Sequence, residues 1–223
     1  MLSETLNLDL SRRAVIETAQ IAWQGSRADN VLRKPLERAA AESGRATSIV
    51  QFLPGASFPE HVHQQGEEIF VLDGVFSDAT GDYLAGSYLR NPPGSRHAPH
   101  SRPGCTLLVK LEQFADDDQQ RIARQTHPHE PYAAPWVAGH GGLRVQSLHE
   151  HHGVHSALVF WPAGERFVPH RHWGGEEIFV IHGEFCDEHG RYPASTWLRN
   201  PHGSVHHPFV DQDTLIYVKT GHL

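Results

Sequence analysis

Four residue types recur at one fixed spacing in the two halves of this chain. Gly55, His61, His63, Glu67 and Gly74 stand at the same intervals as Gly164, His170, His172, Glu176 and Gly183. Each set is followed by a Pro-x-Gly-x-x-His segment, which ends at His97 in the first half and at His206 in the second. A displacement of 109 positions carries each residue of the first set onto its counterpart. Histidine is abundant, 19 of 223 residues, so a lone His-x-His could be surface decoration. Chance does not readily repeat four residue types in register, and a period of this kind marks a duplicated structural unit. Three imidazoles and a carboxylate form a donor set for a first-row transition metal.

A chain of 223 residues can bury one large core or two modest ones. The duplication decides for two domains, residues 1–120 and 121–223. With 20 glycines, 15 prolines and no sustained helical repeat, a turn-rich all-β architecture is expected. The net charge of −7, without a basic patch, argues against nucleic acid as a partner. No run of 18 apolar residues suggests a membrane span, and the opening MLSETLNLDLSRR has no secretory pattern. Cys105 and Cys186 fall at non-equivalent places in the two copies. No disulfide frame is expected from them, and a reducing cytoplasm fits best. Neither lies in a CxxC pair or beside paired histidines, so no redox-active thiol is expected.

Short strands account for the pattern from Ala46 onward. In the first copy they cover 47–53, 69–72, 75–77, 87–91 and 105–111, with Asp73-Gly74 as a hairpin turn. In the second they cover 156–161, 178–181, 184–186, 196–200 and 214–219. Arg12 to Ala22 could be helix or strand. The stretch 116–131, with its acidic run and two prolines, reads as a polar connector with the domain boundary near residue 120. Short strands punctuated by Gly and Pro imply a sandwich or barrel.

Side chains alternate along a strand, so His61 and His63 point the same way. The turn at Gln64-Gln65-Gly66 then presents an acid. Glu67 keeps the alternation with Ile69 and Val71 and is the preferred ligand, as is Glu176 in the second copy. Glu68 and Glu177 remain the alternatives if the turn shifts register by one. Pro92-x-Gly94 forces a turn that brings His97 in from the side opposite His61 and His63, and Pro201-x-Gly203 does the same for His206. Such a set holds zinc, iron, manganese or nickel with one or two positions left open; spacing does not choose among them. His100 and His207 read as surface or supporting residues. The run His149-Glu150-His151-His152 reads as a solvated loop. Phe58, Phe167 and Trp173 either line cavities around the metals or belong to the barrel core.

These paired motifs resemble those of the cupin superfamily, over most of residues 45–112 and 155–220. The resemblance implies two tandem double-stranded β-helix, or jelly-roll, domains with a metal inside each: a bicupin. More narrowly, PGASFPEHVHQQGEEIFVLDGVFSD and YLRNPPGSRHAPHSRPGC resemble the C-terminal cupin domain of ChrR-type anti-sigma factors, which implies zinc. Two departures from the cupin pattern are present. Ser195 stands where the second motif opens with glycine (Gly86 in the first copy), and no asparagine follows the last histidine. ChrR-type factors also carry an N-terminal helical zinc domain with a closely spaced cysteine pair. Residues 1–45 hold no cysteine, so sigma-factor binding by that mode is not expected.

Three functions fit. One is a zinc-dependent regulatory or sensing module that binds a small organic ligand in each barrel and signals to a protein partner. A second is an iron- or manganese-dependent dioxygenase acting on a small diketone or aromatic acid. The third is a purely structural metal. Either a monomer or a homodimer is compatible with the duplication, because two barrels in one chain can replace a dimer of single ones.

Overall fold

The computed structural model describes residues 5–40 and 43–223, and no α-helix occurs among them. The chain divides into two compact units. Among the described residues, the first comprises 21–126 with residues 5–8, and the second comprises 127–223 together with Asp9–Gln20. Both are antiparallel β-barrels of the jelly-roll kind.

In the first unit the main sheet runs, strand by strand, Ile122–Gln125, Ser87–Asn91, Glu67–Asp78, Cys105–Leu111, Ala46–Phe52, Val31–Arg38 and Gln24–Gly25. In the second the order is Ala14–Glu17, Thr196–Asn200, Glu176–His182, Thr214–Thr220, Val154–Trp161, Arg144–His151 and Val137–Ala138. The five middle strands correspond one to one. The edge strand beside them does not: it comes from the connector in the first unit and from the chain's beginning in the second. Ile122 pairs with Arg90 there, and Val15 with Leu198. The ambiguous segment near residue 14 is therefore strand, followed by a single 3-10 turn at Thr18–Gln20.

Each barrel is filled by the inward-facing members of these strands. Phe52, Ile69, Val71, Phe76, Leu89 and Leu107 form one core. Trp161, Ile178, Val180, Phe185, Leu198 and Ile216, each 109 residues on, form the other. Every such side chain taken out of water contributes about 1.5–3 kcal/mol.

Two local expectations are corrected. Asp73-Gly74 is not a hairpin turn. Glu67–Asp78 is one continuous strand, bent at this point by a bulge opposite Thr106 and Leu107. Gly74 has φ 75° there, and a Cβ would lie 2.1 Å from the Gly104 carbonyl oxygen. The run His149 to His152 is not a solvated loop: His149 is buried on the strand Arg144–His151, and the turn falls at His152-Gly153. Ser195, which replaces the motif glycine, keeps the left-handed backbone of Gly86, with φ 68° against 85°.

The two glycines of the first repeat offer a stability test. Gly55 also has positive φ but open space around it, so Gly55→Ala meets conformational strain alone, about 1 kcal/mol. Gly74→Ala adds a backbone collision and is expected to cost more than about 2 kcal/mol. Chemical denaturation of both variants checks the order.

Candidate metal centre

Each barrel carries a separate two-stranded ladder at its mouth. His61–Val62 pairs with Arg96–His97, placing His61 directly across from His97. In the second unit His170–Arg171 pairs with Val205–His206, and His170 faces His206. The last histidine is thus a cross-strand neighbour of the first, not an arrival from the opposite side. The tight Pro-x-Gly turn returns the chain antiparallel, and the Gly94 N–H is bonded to the His63 carbonyl.

In the first unit, His63 Nε2 and His97 Nε2 lie 3.0 Å apart. Glu67 Oε2 is 3.2 Å from the former and 3.4 Å from the latter. The His61 ring joins them, its centroid 4.7 Å from that of His63 and 4.9 Å from that of His97. One donor atom from each of the four residues fits within 4.8 Å of every other. Metal–ligand bonds of about 2.1 Å would set neighbouring donors about 3.0 Å apart at octahedral angles and about 3.4 Å apart at tetrahedral ones, so the cluster has the dimensions of a coordination sphere.

The second unit repeats the arrangement with a looser acid. His172 Nε2 and His206 Nε2 are 2.9 Å apart, and Glu176 Oε2 is 3.5 Å from both. His170, His172 and His206 satisfy the 4.8 Å convergence by themselves. Glu176 stands at the edge of that group.

Supporting residues orient the ligands. His61 Nδ1 lies 2.8 Å from the Pro59 carbonyl, and His170 Nδ1 lies 3.0 Å from that of Val168. A carbonyl only accepts, so Nδ1 carries the proton and Nε2 keeps a lone pair for the centre. Asp78 Oδ2 is 3.4 Å from His97 Nδ1, and Asp187 Oδ2 is 3.6 Å from His206 Nδ1. A carboxylate behind an imidazole is the usual means of fixing a metal-binding tautomer. The Asn91 amide donates to Glu67 Oε2 at 3.0 Å, and the Asn200 amide does so to Glu176 at 3.0 Å.

Arg13 adds a device that the first unit builds differently. Its Nε donates to Asn200 Oδ1 at 3.0 Å, leaving the amide nitrogen of Asn200 for Glu176. Its Nη2 reaches Asp187 at 3.2 Å and the Tyr192 hydroxyl. Arg13, immediately before the N-terminal edge strand, therefore holds both supporting residues of the second centre.

Burial is the main reason His63 is driven down to about 4, with His61 adding to it. Burial also lowers His97, His170 and His172. These rings are neutral near pH 7 and have lone pairs to offer. His206 departs upward: burial pulls it down, but the nearby Asp187 carboxylate and the Glu176 charge outweigh that. Burial works against ionisation of Asp187, yet its contacts with His206, Tyr192 and the His189 N–H bring it to about 2.

The alternative acids lie on the other sheet face. Glu68 accepts from the Tyr88 hydroxyl at 2.8 Å and from Arg90 at 3.3 Å. Glu177 accepts from Trp197 Nε1 at 2.6 Å. Glu67 pairs with Asn91 and Glu68 with Arg90, so strand alternation separates the two acids. His100 and His207 are exposed and belong to neither cluster. Phe58 and Phe167 pack edge-on against His61 and His170, at 5.0 Å and 4.8 Å between centroids. Trp173 is 70% exposed and lines no barrel interior. Asn91, Asn200, Asp78 and Asp187 escaped the sequence reading, although the 109-residue displacement relates each pair. Arg13 has no such signal.

Two tandem jelly-roll barrels, each with a His/Glu cluster able to bind a metal, define a bicupin. The profile of the ChrR cupin-like domain matches residues 11–115 and again 124–223. The chain belongs to the ChrR cupin-like family. It is similar in fold to a candidate dioxygenase from Nostoc punctiforme, at TM-score 0.74 and 17% identity, over 96% of this chain and 84% of the other. It is also similar to the pirin YhhW of Escherichia coli in complex with nickel(II), at TM-score 0.69 and 14% identity, over 94% and 98%. A Bacillus subtilis oxalate decarboxylase mutant aligns at TM-score 0.59 and 12% identity, over 93% and 76%. No curated protein matches in sequence.

The two acids of the first repeat are separable by experiment. Glu67→Gln is expected to weaken metal retention in the first unit by 10-fold or more while leaving the fold intact. Glu68→Gln is expected to leave retention unchanged but lower stability by about 1–3 kcal/mol, through its buried partners Tyr88 and Arg90. Chelator competition and thermal denaturation on each variant read the two effects.

Proposed function

We propose that this protein is a two-site metal-dependent sensing module. Each unit would hold one divalent transition metal, zinc in the first instance. His61, His63, Glu67 and His97 would bind it in one unit, and His170, His172, Glu176 and His206 in the other. The observation that carries the reading is the repeated convergence of imidazole Nε2 atoms and a carboxylate oxygen. The match of both halves to the ChrR cupin-like family supports a regulatory role over an enzymatic one. Bound there, the metal would act as a Lewis acid with a position open to a small ligand. The chain's own residues would do the remainder. Asn91 and Asn200 orient the carboxylates, Asp78 and Asp187 fix the imidazole tautomers, and the apolar barrel wall limits bulk water. Ligand binding would then be passed to a protein partner, as a monomer or a homodimer.

The two free, buried cysteines suit a reducing cytoplasm. Burial raises both thiols to about 11, far from the range of a reactive thiolate. No helix among the described residues is long and apolar enough to cross a membrane.

A second reading, an iron- or manganese-dependent dioxygenase on a small diketone or aromatic acid, is favoured by one feature. A cavity of about 440 Å³ in the first unit opens onto His61, His63 and Glu67. That volume suits a small organic molecule.

Elemental analysis of protein purified without added metal tests the proposal. Zinc near two per chain, falling by one in His97→Ala and by one in His206→Ala, is the expected result. Iron or manganese at that stoichiometry would transfer the argument to oxidative chemistry. A metal-free parent would remove the basis of both readings.

A further inference from the structure

The edge strand that closes the second barrel is preceded by an arginine whose counterpart in the first unit is placed differently. Ala14 pairs with Arg199 and Glu17 with Thr196, while Ile122 pairs with Arg90 and Gln125 with Ser87. Both strands end alike, with the Thr18 and Thr126 N–H groups bonded to the carbonyls of Ser195 and Gly86. Strand register therefore matches Arg13 with Arg121, the residue just before each strand, although the 109-residue repeat does not relate them. The residues that Arg13 engages are matched as well: Asn200, Asp187 and Tyr192 with Asn91, Asp78 and Tyr83. Yet Arg121 is exposed, and in the first unit the Thr80 hydroxyl bonds both Asp78 and the Tyr83 hydroxyl. His189 stands in place of Thr80 in the second unit, where Tyr192 donates directly to Asp187 at 2.7 Å.

The seat of Arg13 lies directly behind the metal-facing groups. Its Nε donates to Asn200 and its Nη2 to Asp187, so one planar fork spans the partners of Glu176 and of His206. A guanidinium only donates, which fixes the Asn200 amide with its oxygen toward Arg13 and its nitrogen toward Glu176. The Asp187 side chain is fully buried, and Arg13 is its cation partner. Removing one member of a buried ion pair leaves the other charge uncompensated and disturbs whatever it supports. A bond to one of these residues would anchor the strand. Bridging both ties the strand to two metal-facing groups at once.

We propose that Arg13 is a positioning residue of the second centre, and that through it the edge strand Ala14–Glu17 and a metal at that centre stabilise one another. Coupling of this kind is reciprocal: what docks the strand tightens the metal, and the metal holds the strand. The first centre lacks the link, because the Thr80 hydroxyl, and not Arg121, engages Asp78 and Tyr83. The inference rests on the metal reading above.

The test uses zinc and the full chain in two backgrounds: His97→Ala, which keeps the four ligands of the second centre, and His206→Ala, which keeps those of the first. In the His97→Ala background, Arg13→Gln is expected to weaken zinc retention about 10-fold or more in chelator competition, and Arg13→Lys to restore part of the loss. Hydrogen exchange supplies a reading that strand anchoring alone would not move. Zinc added to His97→Ala should slow exchange over residues 14–18 about 5-fold or more, and Arg13→Gln should remove that slowing. Zinc added to His206→Ala should leave exchange over residues 122–126 unchanged. The exchange comparison between the two backgrounds needs no change at Arg13, and it decides the matter if Arg13→Gln does not fold. Zinc held equally well by Arg13→Gln, or zinc that slows both edge strands alike, overturns the coupling while the metal reading stands. A His97→Ala protein that takes no zinc overturns the metal reading and the coupling with it.

Discussion

The two-stranded ladder at the mouth of each barrel is the contact on which the rest of the site depends. Pairing His61 with His97, and His170 with His206, is what brings imidazoles from distant parts of the chain within one coordination sphere. Nitrogens 2.9–3.0 Å apart in an apolar surround are poorly placed unless something positive lies between them or a proton is shared. The neighbouring carboxylate, itself held by an asparagine amide, favours the cation. The barrel behind supplies rigidity: its core side chains fix the strands whose ends carry the donors.

Duplication left the centres alike and their surroundings different. The three histidines, the glutamate, the asparagine and the aspartate behind the last histidine recur in both units. The edge strand does not, and its source matters. Arg13, immediately before the N-terminal strand, ties Asn200 and Asp187 into one network in the second unit. The carboxylates of Asp187 and Glu176 raise His206, while the equivalent His97 is lowered by burial. In the first unit Arg33 and Arg38 line the cavity, whereas the residues at the same strand-pairing positions of the second are Val145 and the exposed Glu150.

Membership of the ChrR cupin-like family and the jelly-roll neighbours agree on architecture. Those neighbours share 12–17% identity with this chain, and that shows the fold alone. A candidate dioxygenase, a nickel-bound pirin and an oxalate decarboxylase can share this barrel because a fold does not fix function.

What was legible in the sequence is what local spacing controls. The repeat, the short strands, the His-x-His face and the preference for Glu67 over Glu68 all follow from period-two alternation and from turns set by Pro and Gly. What only the tertiary structure decided depends on which strands become neighbours. Asp73-Gly74 looks like a turn by composition, yet pairing along its whole length keeps Glu67–Asp78 a single bent strand. Trp173 sits beside a ligand in sequence but faces solvent, while Phe58 and Phe167 pack on the histidines. Arg13 lies far from either motif, and no local pattern could assign it. Its role arises from the register between Ala14–Glu17 and Thr196–Asn200, strands distant along the chain, which hydrogen bonding and core packing settle together.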